Sequence, residues 1–211
     1  QPAGAAQHGG AEIGAAGKAG ERQQHRGEPA GGDHQDDAQL GGGDAVAGAT
    51  VFPAMEGTRP VLVEIQALTV RLASGATPRR AVVGWDSGRL AMVLAVLEAR
   101  CGLSFSTCEV YLNVAGGYRL SDPAADLAVA AALVSALAER PVPAHAVAFG
   151  EIALSSELRP VAHGALRLKE AAKLGFDAAL VPSSLADKGS GIRLHGFARL
   201  GNLVDHLLGR V

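Results

Sequence analysis

The residues with the most chemistry to offer lie in one block, Asn113-Val-Ala-Gly-Gly-Tyr-Arg-Leu-Ser-Asp-Pro-Ala-Ala-Asp126. An apolar run closes on Gly116-Gly117, and Asp122-Pro123 has the composition of a helix start, an N-cap acid followed by a proline in the first turn. The small residues Ala124 and Ala125 would let a second backbone or a ligand come close to the positive end of that helix. One reading of the block is an anion or peptide site. The other is close packing of helix on strand, and the block by itself leaves both open.

Other familiar chemistry is missing from the sequence. There is no GxxxxGK[ST] string to wrap phosphates, and Gly41-Gly42-Gly43 lacks both the lysine and the strand–helix setting such a loop needs. HExxH, GxSxG and an EF-hand loop are also absent. Cys101 and Cys108 are the only cysteines and form no CxxC unit, so they read as two small buried thiols in a reducing compartment. His8, His25 and His34 have no metal-ligand spacing, and His145 and His163 read as surface or packing residues. Asp126 reads as a first-turn acid that suits the helix dipole.

The 211 residues hold 19 Lys+Arg against 21 Asp+Glu, a net charge of -2, which opposes phosphate neutralisation over the whole surface and leaves room only for a local patch. The balance is uneven. Residues 1–50 carry a net -4, 13 of the 28 glycines, and only Ile13, Leu40 and Val46 as large apolar residues; the remainder is +2. Such a segment cannot offset its chain entropy, so residues 1–50 are expected to be a disordered low-complexity tail and 51–211 one folded domain. No apolar run reaches the ~18 residues of a membrane span, and no signal peptide is visible. A soluble, cytoplasmic protein is the expectation.

The elements that would position the block follow from periodicity and punctuation. Residues 61–72 and 80–85 read as strands, and Asp86 as the cap of a helix to Arg100, with Leu90, Leu94, Leu97 and Cys101 on one face and Gly102 as its stop. Residues 108–114 read as a strand and 123–139 as a helix with Leu127, Ala131, Val134 and Ala138 as its buried stripe. A strand pair over 147–154 and 157–161, a helix over 165–174, short strands at 179–181 and 192–194, and a helix over 202–208 complete the reading. The expected fold class is α/β, a mixed sheet with flanking helices.

Across Met55 to Val181 the chain resembles the carboxy-terminal Lon-protease-like domain of the bacterial RadA (Sms) DNA repair family. The resemblance rests on Met55–Leu68 (MEGTRPVLVEIQAL), Asn113–Arg119 (NVAGGYR), Asp122–Ala128 (DPAADLA), Ala148–Leu154 (AFGEIAL), Leu158–Val161 (LRPV) and Glu170–Phe176 (EAAKLGF), in that order. It implies a fold of the ribosomal-protein-S5-like kind. Lon peptidases use a Ser–Lys pair, and here Ala124 and Ala165 occupy the Ser and Lys positions, so the resemblance implies a domain without peptidase activity. A Ser-type Lon-like peptidase with a nucleophile displaced to Ser121 and a base at Lys169 is the rival reading; an ATP-dependent enzyme acting alone is opposed by the missing P-loop.

The family resembled has a zinc finger, a RecA-like ATPase core and this domain, and it drives branch migration in DNA recombination with ATP, magnesium and zinc as cofactors. The CxxC pairs, the Walker A loop and the Lys-Asn-Arg-Phe-Gly motif of that design are missing here, so no cofactor is expected in this chain. The sequence before Thr50 reads as unrelated to a RecA core, as in a fragment. The resemblance implies a scaffold and DNA-guiding role, with further copies in a ring (a hexamer), weakly bound DNA and recombination proteins as partners, and no membrane. Candidate DNA or interface residues are Arg59, Arg79, Arg80, Arg89 and Lys169, with Arg119, Arg159 and Arg167 expected to share a rim.

Overall fold

Two apolar runs separated by Gly57 pair first. β1 (Ala49–Glu56) and β2 (Arg59–Arg71) form an antiparallel hairpin in register from Ala49↔Gln66 to Glu56↔Arg59. The computed structural model describes residues 45–73, 75–185 and 189–210. Residues 1–44 of the expected tail lie outside the described residues. Its last residues are described and differ from the expectation, because β1 begins at Ala49 and Gly48 is already built into the fold. The Gly48 amide donates to Ser135 Oγ at 2.8 Å, and its carbonyl accepts from the Ala67 amide at 2.7 Å. Gly48 has φ +90°, and a Cβ there would stand 2.2 Å from the Ala67 carbonyl oxygen. Gly48→Ala is therefore expected to cost about 1–3 kcal/mol of unfolding free energy in denaturant melts. A change within about 0.5 kcal/mol, the behaviour of a featureless surface site, would contradict this.

β1 was not legible because Pro53 interrupts it, and a proline argues against a central strand. The structure tolerates it because β1 pairs with its other neighbour only at Val51↔Val147, so the missing amide of Pro53 faces no ladder partner. The remaining strands are β3 (Arg80–Val83), β4 (Cys108–Val114), β5 (Ala146–Ala148), β6 (Glu151–Ile152), β7 (Leu158–Arg159), β8 (Ala178–Pro182) and β9 (Arg193–Phe197). Of the nine strands among the described residues, seven form one mixed sheet in the order β3-β4-β2-β1-β5-β8-β9, while β6 and β7 form a separate antiparallel pair. The strand expected over 147–154 is thus broken at Gly150, where a Cβ would meet Pro182 Cγ at 2.8 Å.

Four α-helices among the described residues flank the sheet. α1 (Ser87–Cys101) is capped by Asp86, whose carboxylate accepts from the Arg89 amide at 2.7 Å, and stops at Gly102 with φ 67°. A 3-10 turn at Pro123–Ala125 leads into α2 (Asp126–Ala138), followed by α3 (Gly164–Lys173) and α4 (Leu200–Leu208). α2 is buried on every side from Asp126 to Ser135, not along a single stripe, and Ala138 is only half-buried. Its alanines allow this: the helix lies on β2 and β1 with α1 and α4 on its other flank. Phe52, Ile65, Val110, Leu112 and Leu133 fill the space between helix and sheet. No helix among the described residues is long and apolar enough to cross a membrane.

Candidate functional site

The start of α2 is where the structure gathers charge. Asp122 caps the 3-10 turn by accepting from the Ala124 amide at 2.9 Å, and its second oxygen accepts from Arg167 Nη2. Arg167 reaches it from α3 and spends its other donors inside the protein, Nη1 on the Pro53 carbonyl and Nε on the Ala162 carbonyl at 3.1 Å. Its guanidinium lies 5.5 Å from the centre of the Phe52 ring. Four residues past Asp122, Asp126 receives Arg89 as a fork, Nε at 2.5 Å and Nη2 at 2.7 Å, and its Oδ2 also accepts from the Ile152 amide at 3.1 Å. The Asp126 side chain is fully buried. Burial pushes its carboxyl above the usual range, and Arg89 and the Ile152 amide pull it back. The Arg89 guanidinium is held more basic by that carboxylate.

The Asp122–Arg167 pair joins the two segments that carry the positions implied by the Lon resemblance, Ala124 two residues after Asp122 and Ala165 two residues before Arg167. Ala124 is wholly buried, with its carbonyl accepting from the Gly150 amide at 2.9 Å; Ala165 is exposed on α3. A methyl group can neither attack a carbonyl nor carry a proton. Ser121 and Lys169 are both exposed. Of the two readings of the block, close packing is what the backbone shows, because the amide of Leu127 and the carbonyl of Ala124 are both spent on Gly150.

The basic rim is corrected. Arg119 and Arg159 are exposed, but Arg167 is 1% exposed with its guanidinium enclosed, so it is not a phosphate contact. Arg89 belongs to the ion pair with Asp126, and Arg80 donates to the Cys108 carbonyl and, at 2.7 Å, to the Phe105 carbonyl. Arg59, Arg79 and Lys169 are exposed. Asp126 is accordingly more than a dipole-compatible residue. A lone acid opening the apolar run DLAVAAALV was the available signal that it needs a buried cation. Cys108 is buried and Cys101 half-buried, its thiol pushed up to about 11 by burial, with the Asp205 charge adding to the shift. Among the described residues no cluster of His, Cys, Asp and Glu has the arrangement of a metal site.

The described residues form an α/β domain, a mixed sheet with flanking helices, in which the start of α2 is held by two carboxylate–arginine pairs. The family model for subunit ChlI of Mg-chelatase matches residues 86–184, just under half of the chain. The chain is a homologue of the RadA DNA repair proteins and carries their ChlI/Lon-like C-terminal domain. It is 60% identical to DNA repair protein RadA of Brucella abortus (strain 2308) over 162 residues, 76% of this chain and 34% of that protein. The corresponding figures are 45% over 160 residues for RadA of Aquifex aeolicus (strain VF5), covering 76% and 36%. For RadA of Escherichia coli (strain K12) they are 44% over 166 residues, covering 78% and 36%. The chain therefore spans about a third of the length of these curated relatives.

Proposed function

We propose that this chain is a peptidase-inactive scaffold and DNA-guiding domain of a RadA-type repair and recombination protein, cytoplasmic, self-associating into a ring and needing no cofactor of its own. The observation that carries the reading is Ala124: it is sealed in the core at the position where the resemblance requires a nucleophile, between two carboxylates already committed to arginines. The charged groups beside Ala124 are spent on tying α1 and α3 to the start of α2. The purified chain is expected to cleave neither casein nor a peptide library and to take no label from a serine-directed fluorophosphonate. Cleavage that survives purification and disappears in Ser121→Ala would overturn the reading in favour of a displaced nucleophile.

The DNA part of the proposal rests on exposed arginine, of which Arg119 is the leading candidate beside the Gly116-Gly117 turn. With a folded part of only +2, binding is weak and sequence-independent. Arg119→Ala is expected to reduce the magnitude of the log–log salt slope on duplex DNA by about 0.9, one phosphate contact. An unchanged slope and affinity would remove Arg119 from the DNA path.

A further inference from the structure

The outer side of the sheet is open over residues 66–70 of β2 and over the adjoining β4 and β3. Alternate residues of β2 point outward, with Leu68 60% and Val70 40% exposed, and β3 adds Val83 at 61%. Register places these in rows: Leu68 opposite Tyr111 opposite Ala81, and Gln66 opposite Asn113 opposite Val83. The polar groups among them are spent on one another, Asn113 Nδ2 on Gln66 Oε1 at 3.1 Å, Gln66 Nε2 on Glu64 Oε1 at 2.6 Å, and the Tyr111 hydroxyl on Glu109 Oε2 at 2.7 Å. The result is an apolar strip flanked by two carboxylates, with Arg79 at the Tyr111 corner. An open apolar face of this kind marks an interaction surface.

A second apolar feature projects elsewhere. The turn between β6 and β7 carries Leu154, 66% exposed, on a backbone fixed by Ser156 in the left-handed region at φ 70°. Arg199 leans on this turn, Nη1 to the Ser155 carbonyl at 3.4 Å, and Arg159 stands exposed on β7. Of the acids on the pair, Glu157 is exposed, while Glu151 is half-buried and acts on the Arg89–Asp126 pair. β6 packs on α2, and α2 lies against the inner side of β1 and β2, so this turn and the open face belong to different sides of the domain.

We infer that the β6–β7 turn of one copy docks on the open face of β2, β4 and β3 of the next, Leu154 against Leu68 and Val70, with Arg159 and Arg199 toward Glu64 and Glu109. An apolar knob with basic flanks meets an apolar strip with acidic flanks, which commits the face to a second copy of this chain. Because the two surfaces are different and lie apart, the contact is head-to-tail, the kind that closes into rings. Arg159 is then an interface residue, leaving Arg119 to DNA. The inference rests on the self-association proposed above.

The test uses the full chain and two surface variants, Leu68→Glu and Leu154→Glu, by light scattering with circular dichroism to verify folding. Wild type assembles; each variant alone loses at least about tenfold in self-affinity, the scale of a buried apolar anchor. Mixed one to one, the variants form a dimer and nothing larger, since each retains the surface the other lacks. Wild type that remains monomeric overturns self-association and this surface together. Assembly of wild type with either variant unaffected, or a mixture that stays monomeric, overturns the surface and leaves self-association standing.

Discussion

Arg89→Ala is expected to unfold far more easily than wild type, by about 3–5 kcal/mol, because removing one partner strands a buried charge. Asp126 is fully enclosed and Arg89 only partly, so the two halves of the pair are not equivalent. Without Arg89 the carboxylate keeps only the Ile152 amide. Asp126→Asn should cost less, because Arg89 is partly exposed and can find water, although the one amide oxygen can replace only Oδ2, toward Arg89 Nη2 and the Ile152 amide, and the NH2 then faces the Arg89 Nε–H. The pH dependence follows from the direction of the shift. Burial raises the Asp126 carboxyl in the folded state, and Arg89 is the main influence that lowers it. In Arg89→Ala the folded carboxyl rises further, so the folded state binds its proton more tightly than the unfolded chain does. Stability of the variant relative to wild type therefore recovers as pH falls from the variant's folded value toward the wild type's own, less raised one, the unfolded aspartate being common to both. Denaturant melts of both proteins across that window read the effect. A deficit that is constant with pH, or smaller than about 1 kcal/mol at neutral pH, would show that Asp126 is not a buried charge held by Arg89.

Local patterns were legible wherever local physics decides. Asp86 and Gly102 bracket α1 as expected because a cap carboxylate and a left-handed glycine act within a few residues of the helix end. β4 was read at its observed ends because Cys108, Val110, Leu112 and Val114 alternate inward. Pro53 concealed β1, since its acceptability depends on which neighbour pairs at which residue. Gly48 was read into the tail because its partners, Ala67 and Ser135, are distant in sequence. The site was half legible. Ala124 follows from the motif, but the arginines that matter were indistinguishable from surface cations, because a sequence does not show what a long side chain reaches.

Arg167 is the sharpest case. As a rim residue it would contribute a phosphate contact and almost nothing to stability. The structure gives it three internal acceptors, the Asp122 carboxylate and the carbonyls of Pro53 and Ala162, and places it over the Phe52 ring. Arg167→Ala leaves two main-chain carbonyls short of a donor, opens a cavity beside Phe52 and releases the cap carboxylate, a combined loss of about 3–5 kcal/mol. Asp122 limits the damage, being a third exposed and able to find water. Arg167→Lys tests the geometry, because an ammonium keeps the charge but its three donors radiate from one nitrogen and cannot span the acceptors that Nε, Nη1 and Nη2 reach separately; it should recover only part of the loss. The two roles separate in one pair of measurements, guanidinium melts and duplex-DNA salt slopes taken where the variant is folded. The structural role predicts a large drop in stability with an unchanged slope, the reverse of Arg119→Ala. A loss below about 1 kcal/mol together with a slope reduced by about 0.9 would return Arg167 to the rim and undo its part in the network that joins α3 to the start of α2.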